Sequence, residues 1–311
     1  MLKRIKLGLI MSLIFIVLVA CSTESPTSDN GSEEEENNDG EIHIGLAVST
    51  QNNPFLVTLK VCAEEKAEEL GVELTVVDAQ DDAATQLNSI EDLIQQDIDV
   101  LVVNPTDSEA VVSAIESAND ADIPVITVDR SADGGEVVSH VASDNVAGGE
   151  MAGEYIVEQL SGEGKVVELE GIPGSSAARE RGEGFHNVVD EEDGIEVIAK
   201  QPADFERAAG LTVMENIIQS NPEFDAVFAH NDEMALGALE ALAAAGMEDV
   251  IVVGFDATDD AVESVEAGEL AATIAQQPTV IGEKGIETAV SIVNGDEVED
   301  FIPVELNLIT E

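Results

Sequence analysis

Eight short polar segments of this 311-residue sequence carry the side chains best suited to recognise a small molecule. Each follows a short apolar run, and together they are rich in Asn, Asp, Arg and Gln and include Phe55 and Phe205. They lie at residues 49–55, 104–107, 129–130, 171–181, 201–205, 230–232, 256 and 275–276. Planar polar groups can donate to and accept from neighbouring hydroxyl groups, and Phe faces can pack on the C–H faces of a sugar ring. The set therefore indicates a site for a small, neutral polyol.

The apolar runs before these segments predict the strands that must position them. From residue 41 onward, Val-, Ile- and Leu-rich runs alternate with longer amphipathic segments, which is typical of parallel sheets covered by helices on both faces. Strands are predicted at residues 42–48, 73–77, 100–103, 124–128, 137–141, 165–169, 196–200, 226–229, 250–253, 271–274 and 304–307. Helices are predicted at residues 54–70, 83–96, 108–118, 146–160, 177–189, 205–219, 233–245, 259–267 and 280–294. The pattern runs twice, so we expect two doubly wound α/β lobes, with ligand bound beyond the carboxyl ends of the strands.

The common catalytic motifs are absent from the sequence. It has no G-x-S-x-G, G-K-[S/T] or H-E-x-x-H motif, and residues 162–164 lack the third glycine of a dinucleotide-binding loop. The four His and two Cys residues are scattered, without the spacing of a zinc site. With 66 carboxylates in the chain, acid pairs arise by chance and mean little. We therefore predict a binding protein rather than an enzyme, with no cofactor and no metal.

Acidic residues dominate the charge of the chain. The 66 Asp and Glu residues outnumber the 12 Lys and Arg residues and give a formal net charge of −54. Such a field repels phosphate backbones and excludes a nucleic-acid partner. The acidic residues are spread along the whole sequence, which suits a protein in concentrated salt, where a short Debye length screens self-repulsion. We therefore predict a halophilic source, and full stability of the protein in low salt would contradict this.

The N-terminal segment has the features of an export signal. Basic residues at positions 3, 4 and 6 precede an almost purely apolar run at residues 7–20, shorter than the about 20 residues that span a membrane. The run ends in Leu-Val-Ala-Cys, which resembles the bacterial lipobox, whose Cys is lipidated and becomes the new N-terminus. Residues 22–40 are polar and acidic. We expect a signal peptide at residues 1–20 and a disordered tether at residues 21–40, lipidated at Cys21, which holds the protein on the extracellular face of the membrane or in the periplasm.

The polar segments resemble, in the same order, those of the type I periplasmic-binding-protein family, and of its ribose-binding branch in particular. The resemblance covers residues 42–308. It is carried by STQNNPF at residues 49–55, VNPTDS at 103–108, ITVDR at 126–130, VSHVASDN at 138–145, AARERGEGF at 177–185, QPADF at 201–205, NDEMALG at 231–237, VGFD at 253–256 and ATIAQ at 272–276. It implies two lobes joined by three hinge crossings, near residues 143–144, 276–277 and 305–306. The N-lobe would then comprise residues 41–143 and 277–304, and the C-lobe residues 144–276 and 305–311.

The resemblance also implies which residues face the ligand. Phe55 and Phe205 would sandwich a sugar ring, and Asp129, Arg181 and Asp256 would fix its hydroxyl groups. The full set is Ser49, Asn53, Phe55, Asn104, Asp129 and Arg130 from the N-lobe, Arg181, Phe205, Asn231 and Asp256 from the C-lobe, and Gln276 at a hinge. Family members usually have a second Phe where this chain has Leu56, which keeps the apolar wall but loses a ring face.

The function that the resemblance implies is that of the extracellular component of an ATP-driven (ABC) importer. Such a protein acts as a monomer, closes on D-ribose by hinge motion and delivers it to membrane permease subunits. Allose, xylose and a furanose signal molecule remain alternative ligands. Presentation of the bound sugar to a chemoreceptor remains an alternative role, since it uses the same site.

Overall fold

The computed structural model describes residues 42–310, in which the strands form two six-stranded sheets. The first sheet has the order β11-β5-β4-β3-β1-β2 and contains β1 (His43–Val48), β2 (Glu73–Asp78), β3 (Val100–Val103), β4 (Val125–Val128), β5 (Ser139–Ser143) and β11 (Phe301–Val304). The second has the order β12-β10-β9-β8-β6-β7 and contains β6 (Gly164–Glu170), β7 (Ile195–Pro202), β8 (Ala226–Ala229), β9 (Ile251–Asp256), β10 (Ala272–Ala275) and β12 (Asn307–Ile309). All neighbouring strands are parallel except β12, which is antiparallel to β10.

Helices cover both faces of each sheet. The helices of the described region are α1 (Pro54–Leu70), α2 (Ala83–Ile94), α3 (Val112–Asp120), α4 (Asn145–Gln159), α5 (Ser176–Val189), α6 (Arg207–Ser220), α7 (Asp232–Ala245), α8 (Asp259–Glu266) and α9 (Pro278–Val293). We refer to the first sheet with α1, α2, α3 and α9 as the N-lobe, and to the second sheet with α4 to α8 as the C-lobe. The predicted fold, two doubly wound α/β lobes, is confirmed.

The alternation of side chains along the strands creates two cores in each lobe. In β3, Val100 and Val102 pack with residues of α1 and α9, whereas Leu101 and Val103 pack with residues of α2 and α3. In the C-lobe, Val167 and Val166 of β6 likewise belong to separate clusters on opposite faces. Strands with apolar side chains on both faces are stable only between two helical layers, which is why these runs are continuous rather than alternating.

The chain crosses between the lobes three times. It passes from β5 to α4 at residues 143–145, from β10 to α9 at residues 275–278, and from β11 to β12 at residues 304–307. The second crossing returns the chain to the N-lobe, where α9 packs directly on α1. A Cβ at Gly282 would overlap the carbonyl oxygen of Leu59, so the close contact of these helices requires glycine.

Three predicted elements differ from the structure. The single strand expected at residues 304–307 is wrong, because residues 305–306 connect β11 in one sheet to β12 in the other. The helix expected at 108–118 begins only at Val112 and is preceded by a turn at residues 108–111, in which the Asp107 carboxylate accepts the backbone N–H groups of Glu109 and Ala110. The strand expected at 137–141 is β5, shifted by two residues toward the C-terminus.

The predicted signal peptide, the tether and Cys21 lie outside the described residues. Within residues 42–310, none of the helices combines the length and the apolar character needed to cross a membrane.

Candidate ligand-binding site

A narrow cavity lies between the carboxyl ends of the two sheets. Its walls come from both lobes and are formed by Asn53, Phe55, Leu56, Asp129, Arg130, Ala177, Arg181, Phe205, Asn231, Asp256 and Gln276. Nine of these residues were predicted from the sequence; Leu56 and Ala177 are the additional ones. The site therefore forms where parallel α/β sheets generally bind ligands.

The remaining two predicted residues, Ser49 and Asn104, lie behind the cavity wall. The Asn104 amide nitrogen donates to Asp129 Oδ2 at 2.9 Å, and its oxygen accepts the backbone N–H of Ser49 at 3.2 Å. Both residues are fully buried. Asn104 thus ties the ends of β1, β3 and β4 together and fixes the Asp129 carboxylate that faces the cavity.

Two of the wall residues owe their position to helix capping. Asn53 is the N-cap of α1, where its side chain accepts the N–H of Phe55 at 2.9 Å and Pro54 occupies the first helical position. Asn231 is the N-cap of α7 and accepts the N–H of Met234 at 3.0 Å, while its amide group donates to the Phe205 carbonyl at 3.1 Å. The caps therefore fix both the helix starts and the cavity wall.

Arg181 on α5 is held in the cavity wall by three groups of the C-lobe. Its Nε donates to Asn145 Oδ1 at 2.9 Å, and one terminal nitrogen donates to the His230 carbonyl at 2.6 Å. The same nitrogen lies 3.6 Å from Asp256 Oδ1. Burial lowers the pKa of Arg181, and the charges of Asp256 and Asp129 oppose that effect. The guanidinium remains charged and presents fixed donors to the cavity.

Asp256 ends β9 and faces Arg181 across the same wall. Its Oδ1 accepts the amide of Gln276 at 2.9 Å, which connects the carboxylate to the second lobe crossing. Burial raises the pKa of Asp256, and the neighbouring Arg181 guanidinium pulls it down. A carboxylate in this position can accept strong, charge-assisted hydrogen bonds from hydroxyl donors.

Three polar atoms of the cavity residues have no hydrogen-bond partner in the described part of the protein. They are Asp129 Oδ1, Arg130 Nε and Gln276 Oε1. Arg130 Nε makes a looser ion pair with Asp129 Oδ2 at 3.6 Å. A buried polar atom without a partner is costly, so such atoms are few and usually explained by a ligand or water. Two acceptors and one donor in a small cavity match a molecule with several hydroxyl groups.

Phe205 supplies an apolar face to the cavity from the C-lobe. A Cβ on Gly171 would overlap the ring, so the ring reaches its position because residue 171 is glycine. Phe55 lies in the N-lobe wall, and both rings are also part of the hydrophobic cores, with 5% and 7% of their surfaces exposed for Phe55 and Phe205. Core packing and an exposed face toward the cavity are therefore compatible for both residues.

The backbone at three wall residues adopts left-handed conformations that non-glycine residues rarely take. The φ angles are +63° at Asp129, +62° at Phe205 and +116° at Asp256. Such conformations cost free energy and cluster at sites where a side chain must point in one direction. Here they turn the chain at three strand ends so that the side chains face the cavity.

A second layer of polar residues supports the wall and escaped the sequence analysis. The Glu168 carboxylate on β6 is fully buried and accepts Nε2–H groups of His186 and His230, both at 2.9 Å. His230 Nδ1 accepts the N–H of Gly171 at 3.5 Å, and its carbonyl holds Arg181. The sequence signal was weak, because a Glu within an apolar strand and two scattered His residues show no common spacing.

No cluster of three or more His, Cys, Asp or Glu residues between positions 42 and 310 has an arrangement suited to a metal ion.

Comparisons with known proteins agree with this architecture. The profile of a family described as a periplasmic binding protein domain matches residues 44–297. A ribose import binding protein of Bacillus subtilis is 50% identical over 304 residues, 98% of each chain. A ribose import binding protein of Haemophilus influenzae is 55% identical over 268 residues, 86% of this chain and 91% of that one.

A solved structure shares the fold. It is an ABC transporter solute binding protein of Bacillus halodurans with bound myo-inositol, 36% identical, with a TM-score of 0.83 over 87% of this chain and 96% of that chain. The family match covers most of the sequence, and the relatives are binding proteins rather than enzymes. The chain belongs to the periplasmic binding protein family.

Proposed function

We propose that the protein is the extracellular solute-binding component of an ABC importer and that its ligand is D-ribose. Relatives that are 50% and 55% identical carry the name ribose import binding protein. The observation that carries the proposal is the small cavity itself, which combines two Phe faces with buried, unpaired polar atoms from both lobes. A pentose offers hydroxyl groups to these atoms and C–H faces to the rings.

The residues proposed to hold the sugar have distinct roles. Asp129, Arg130, Arg181 and Asp256 bind hydroxyl groups through charge-assisted hydrogen bonds, while Asn53, Asn231 and Gln276 add neutral ones. Phe55 and Phe205 pack on opposite faces of the ring. Ser49 and Asn104 act indirectly, since they orient Asp129 from behind the wall.

Binding works by closure of the two lobes. The sugar contacts both lobes at once only when they are closed, so it shifts the equilibrium toward the closed form. We propose that the lobes are residues 41–143 with 277–304 and residues 144–276 with 305–311, and that the three crossings between them form the hinge. The closed form then docks on the membrane permease subunits, whose ATPase partner drives import. The protein acts as a monomer.

The proposed location is the outer side of the cell membrane. Residues 1–20 direct export, and lipid on Cys21 anchors the mature chain through the acidic segment at residues 22–40. The anchor keeps the protein near the permease while the tether allows it to reach outward.

D-Allose is the second candidate ligand. A structural relative from Actinobacillus succinogenes with bound D-allose is 30% identical, with a TM-score of 0.81 over 87% of this chain. A thermal-shift screen in high salt with D-ribose, D-allose, D-xylose and myo-inositol separates the candidates. We expect D-ribose to raise the melting temperature most at equal concentration, since a ligand stabilises by RT ln(1 + [L]/Kd). A larger shift with another sugar would reassign the ligand.

A further inference from the structure

Beside the cavity, the two lobes are joined by hydrogen bonds that do not involve the cavity residues. On the N-lobe side lies Ser108, between β3 and α3, and on the C-lobe side lies Ser176, the first residue of α5. The Ser176 N–H donates to Ser108 Oγ at 3.1 Å, and the Ser108 N–H donates to the Gly174 carbonyl at 2.9 Å. Both serines are fully buried, with at most 1% of their surface exposed.

The bonding is reciprocal. Ser176 Oγ accepts the backbone N–H of Ser131 at 2.9 Å, and Ser108 Oγ donates to the Ser131 carbonyl at 2.7 Å. Each serine hydroxyl therefore accepts a backbone N–H from the opposite lobe. In both cases the acceptor is a side-chain oxygen, so a single substitution removes it without changing the backbone.

The start of α5 depends on this arrangement. Its N-cap, Ser175, makes no side-chain capping bond. The exposed N–H groups of a first helical turn usually need such a partner. Here Ser108 of the N-lobe supplies the acceptor for Ser176, so a residue of one lobe caps a helix of the other.

The close contact continues at the surface. Arg179, one turn into α5, donates to Asp133 of the N-lobe at 2.8 Å and to the Gly174 carbonyl at 3.0 Å. A Cβ on Gly174 would overlap the Asp107 carboxylate, so this contact between the lobes requires glycine at position 174. The Arg179–Asp133 pair is about half exposed and contributes little on its own.

We propose that the hydroxyl groups of Ser108 and Ser176 form a latch between the lobes, which stabilises the closed form and so sets the affinity of the site without touching the ligand. The latch adjoins the cavity, because Ser131 follows Arg130 and Ser176 precedes Ala177, and both of these line it. When the lobes separate, the backbone N–H groups of Ser108, Ser131 and Ser176 lose their hydrogen bonds to the opposite lobe and bond to water instead. The inference rests on the proposed function, since closure matters only for a protein that closes on a ligand.

The double variant Ser108→Ala/Ser176→Ala tests the latch in the full-length protein. It leaves the N–H groups of Ser176 and Ser131 unpaired in the closed form only, so the closed form loses population relative to the open one. The apparent Kd for D-ribose in calorimetry should rise about tenfold, through faster dissociation. Ser113→Ala is the matched control, because Ser113 is an exposed serine on α3 whose hydroxyl donates to the Ala110 carbonyl in the turn just before that helix, within the N-lobe. The control should bind as the unmodified protein does.

Affinity of the double variant within twofold of the unmodified protein would overturn the latch. A second measurement tests the latch independently of the proposed ligand. If the unmodified protein binds no sugar of the panel, the ribose proposal fails, but the latch can still be tested by small-angle scattering of the sugar-free proteins. A larger radius of gyration for the double variant than for the unmodified protein supports the latch, and identical scattering curves overturn it.

Discussion

The guanidinium carbon of Arg130 lies 5.1 Å from the centre of the Phe205 ring, although the two residues belong to different lobes. Arg181 approaches the same ring at 5.8 Å from within the C-lobe. A cation over the face of an aromatic ring is attracted to the ring, and the attraction is stronger when water is excluded. Phe205 is thus held in place by charge from both sides of the cleft, and its ring forms part of the contact between the lobes.

Replacing Phe205 by leucine tests the role of this ring. Leucine keeps most of the apolar volume but loses the stacking face and the contact with Arg130. We expect the Kd for D-ribose to rise about 30-fold, since aromatic packing and cation–π contacts each contribute about 1 kcal/mol. Calorimetry measures the change. Phe301→Leu is the control, because Phe301 is 43% exposed on β11 and outside the cavity wall; equal effects of the two changes would contradict the assignment.

Replacing Asp256 by asparagine tests the polar wall. The change keeps the size of the side chain but removes the negative charge that lies 3.6 Å from Arg181 and is proposed to accept hydrogen bonds from sugar hydroxyl groups. Hydrogen bonds to charged groups are worth about 1.5–3 kcal/mol, so we expect sugar affinity to fall about 100-fold. Asp249→Asn, on the exposed turn before β9, should bind normally. Circular dichroism verifies that both variants fold, and a folded Asp256→Asn protein of unchanged affinity would remove Asp256 from the site.

The buried carboxylate of Glu168 should make stability depend on pH in the acid range. Burial raises its pKa, but hydrogen bonds from His186 and His230 outweigh burial and lower the pKa from 4.5 to about 2. Because the folded pKa lies below the unfolded one, the stabilisation is complete above about pH 4.5 and is lost as the pH falls toward 2. It amounts to about 3 kcal/mol at neutral pH. Glu168→Gln should lower the free energy of unfolding by this amount at pH 7.

The two histidines respond to Glu168 differently. The hydrogen bond to Glu168 raises the pKa of His186, which is partly exposed, whereas burial lowers the pKa of His230 despite the same carboxylate. Denaturant titrations of Glu168→Gln from pH 7 to pH 2 should show a stability difference that shrinks below pH 4.5. Glu163→Gln, exposed just before β6, serves as the control. A difference that is constant over this range would show that the carboxylate charge does not stabilise the fold.

The proposed lipid anchor predicts a specific role for one of the two cysteines. Cys21→Ser removes the thiol proposed to carry the lipid, so the protein should move from the detergent phase to the aqueous phase when expressed in a bacterium. Cys62→Ser should leave it in the detergent phase, because Cys62 lies within α1 of the folded region. Phase partitioning and labelling with palmitate measure the result. Membrane association of Cys21→Ser equal to that of the unmodified protein would exclude this anchor.

The sequence predicted most of the fold, because its strands are short apolar runs between amphipathic helices. The prediction of one strand at residues 304–307 was wrong for a physical reason. Val304 pairs with β5 in the first sheet and Asn307 with β10 in the second, but the sequence of these four residues does not show where one strand ends and the next begins. The polar residues of the cavity wall could be predicted because ligands of parallel α/β sheets bind beyond the carboxyl ends of the strands. Ala177 was missed because a methyl group carries no chemical signal. Ser108, Ser176 and Glu168 were missed because their hydrogen-bond partners lie 18 to 68 residues away in the sequence.

Isothermal titration calorimetry of the full-length protein with D-ribose in high salt tests the central claim most directly. The account predicts one sugar per chain with a Kd in the micromolar range or below, equivalent to about −8 kcal/mol or stronger. It also predicts a negative heat-capacity change, because the Phe55 and Phe205 faces are buried against the ring. Absence of binding at millimolar D-ribose, while the protein is folded, would contradict the account.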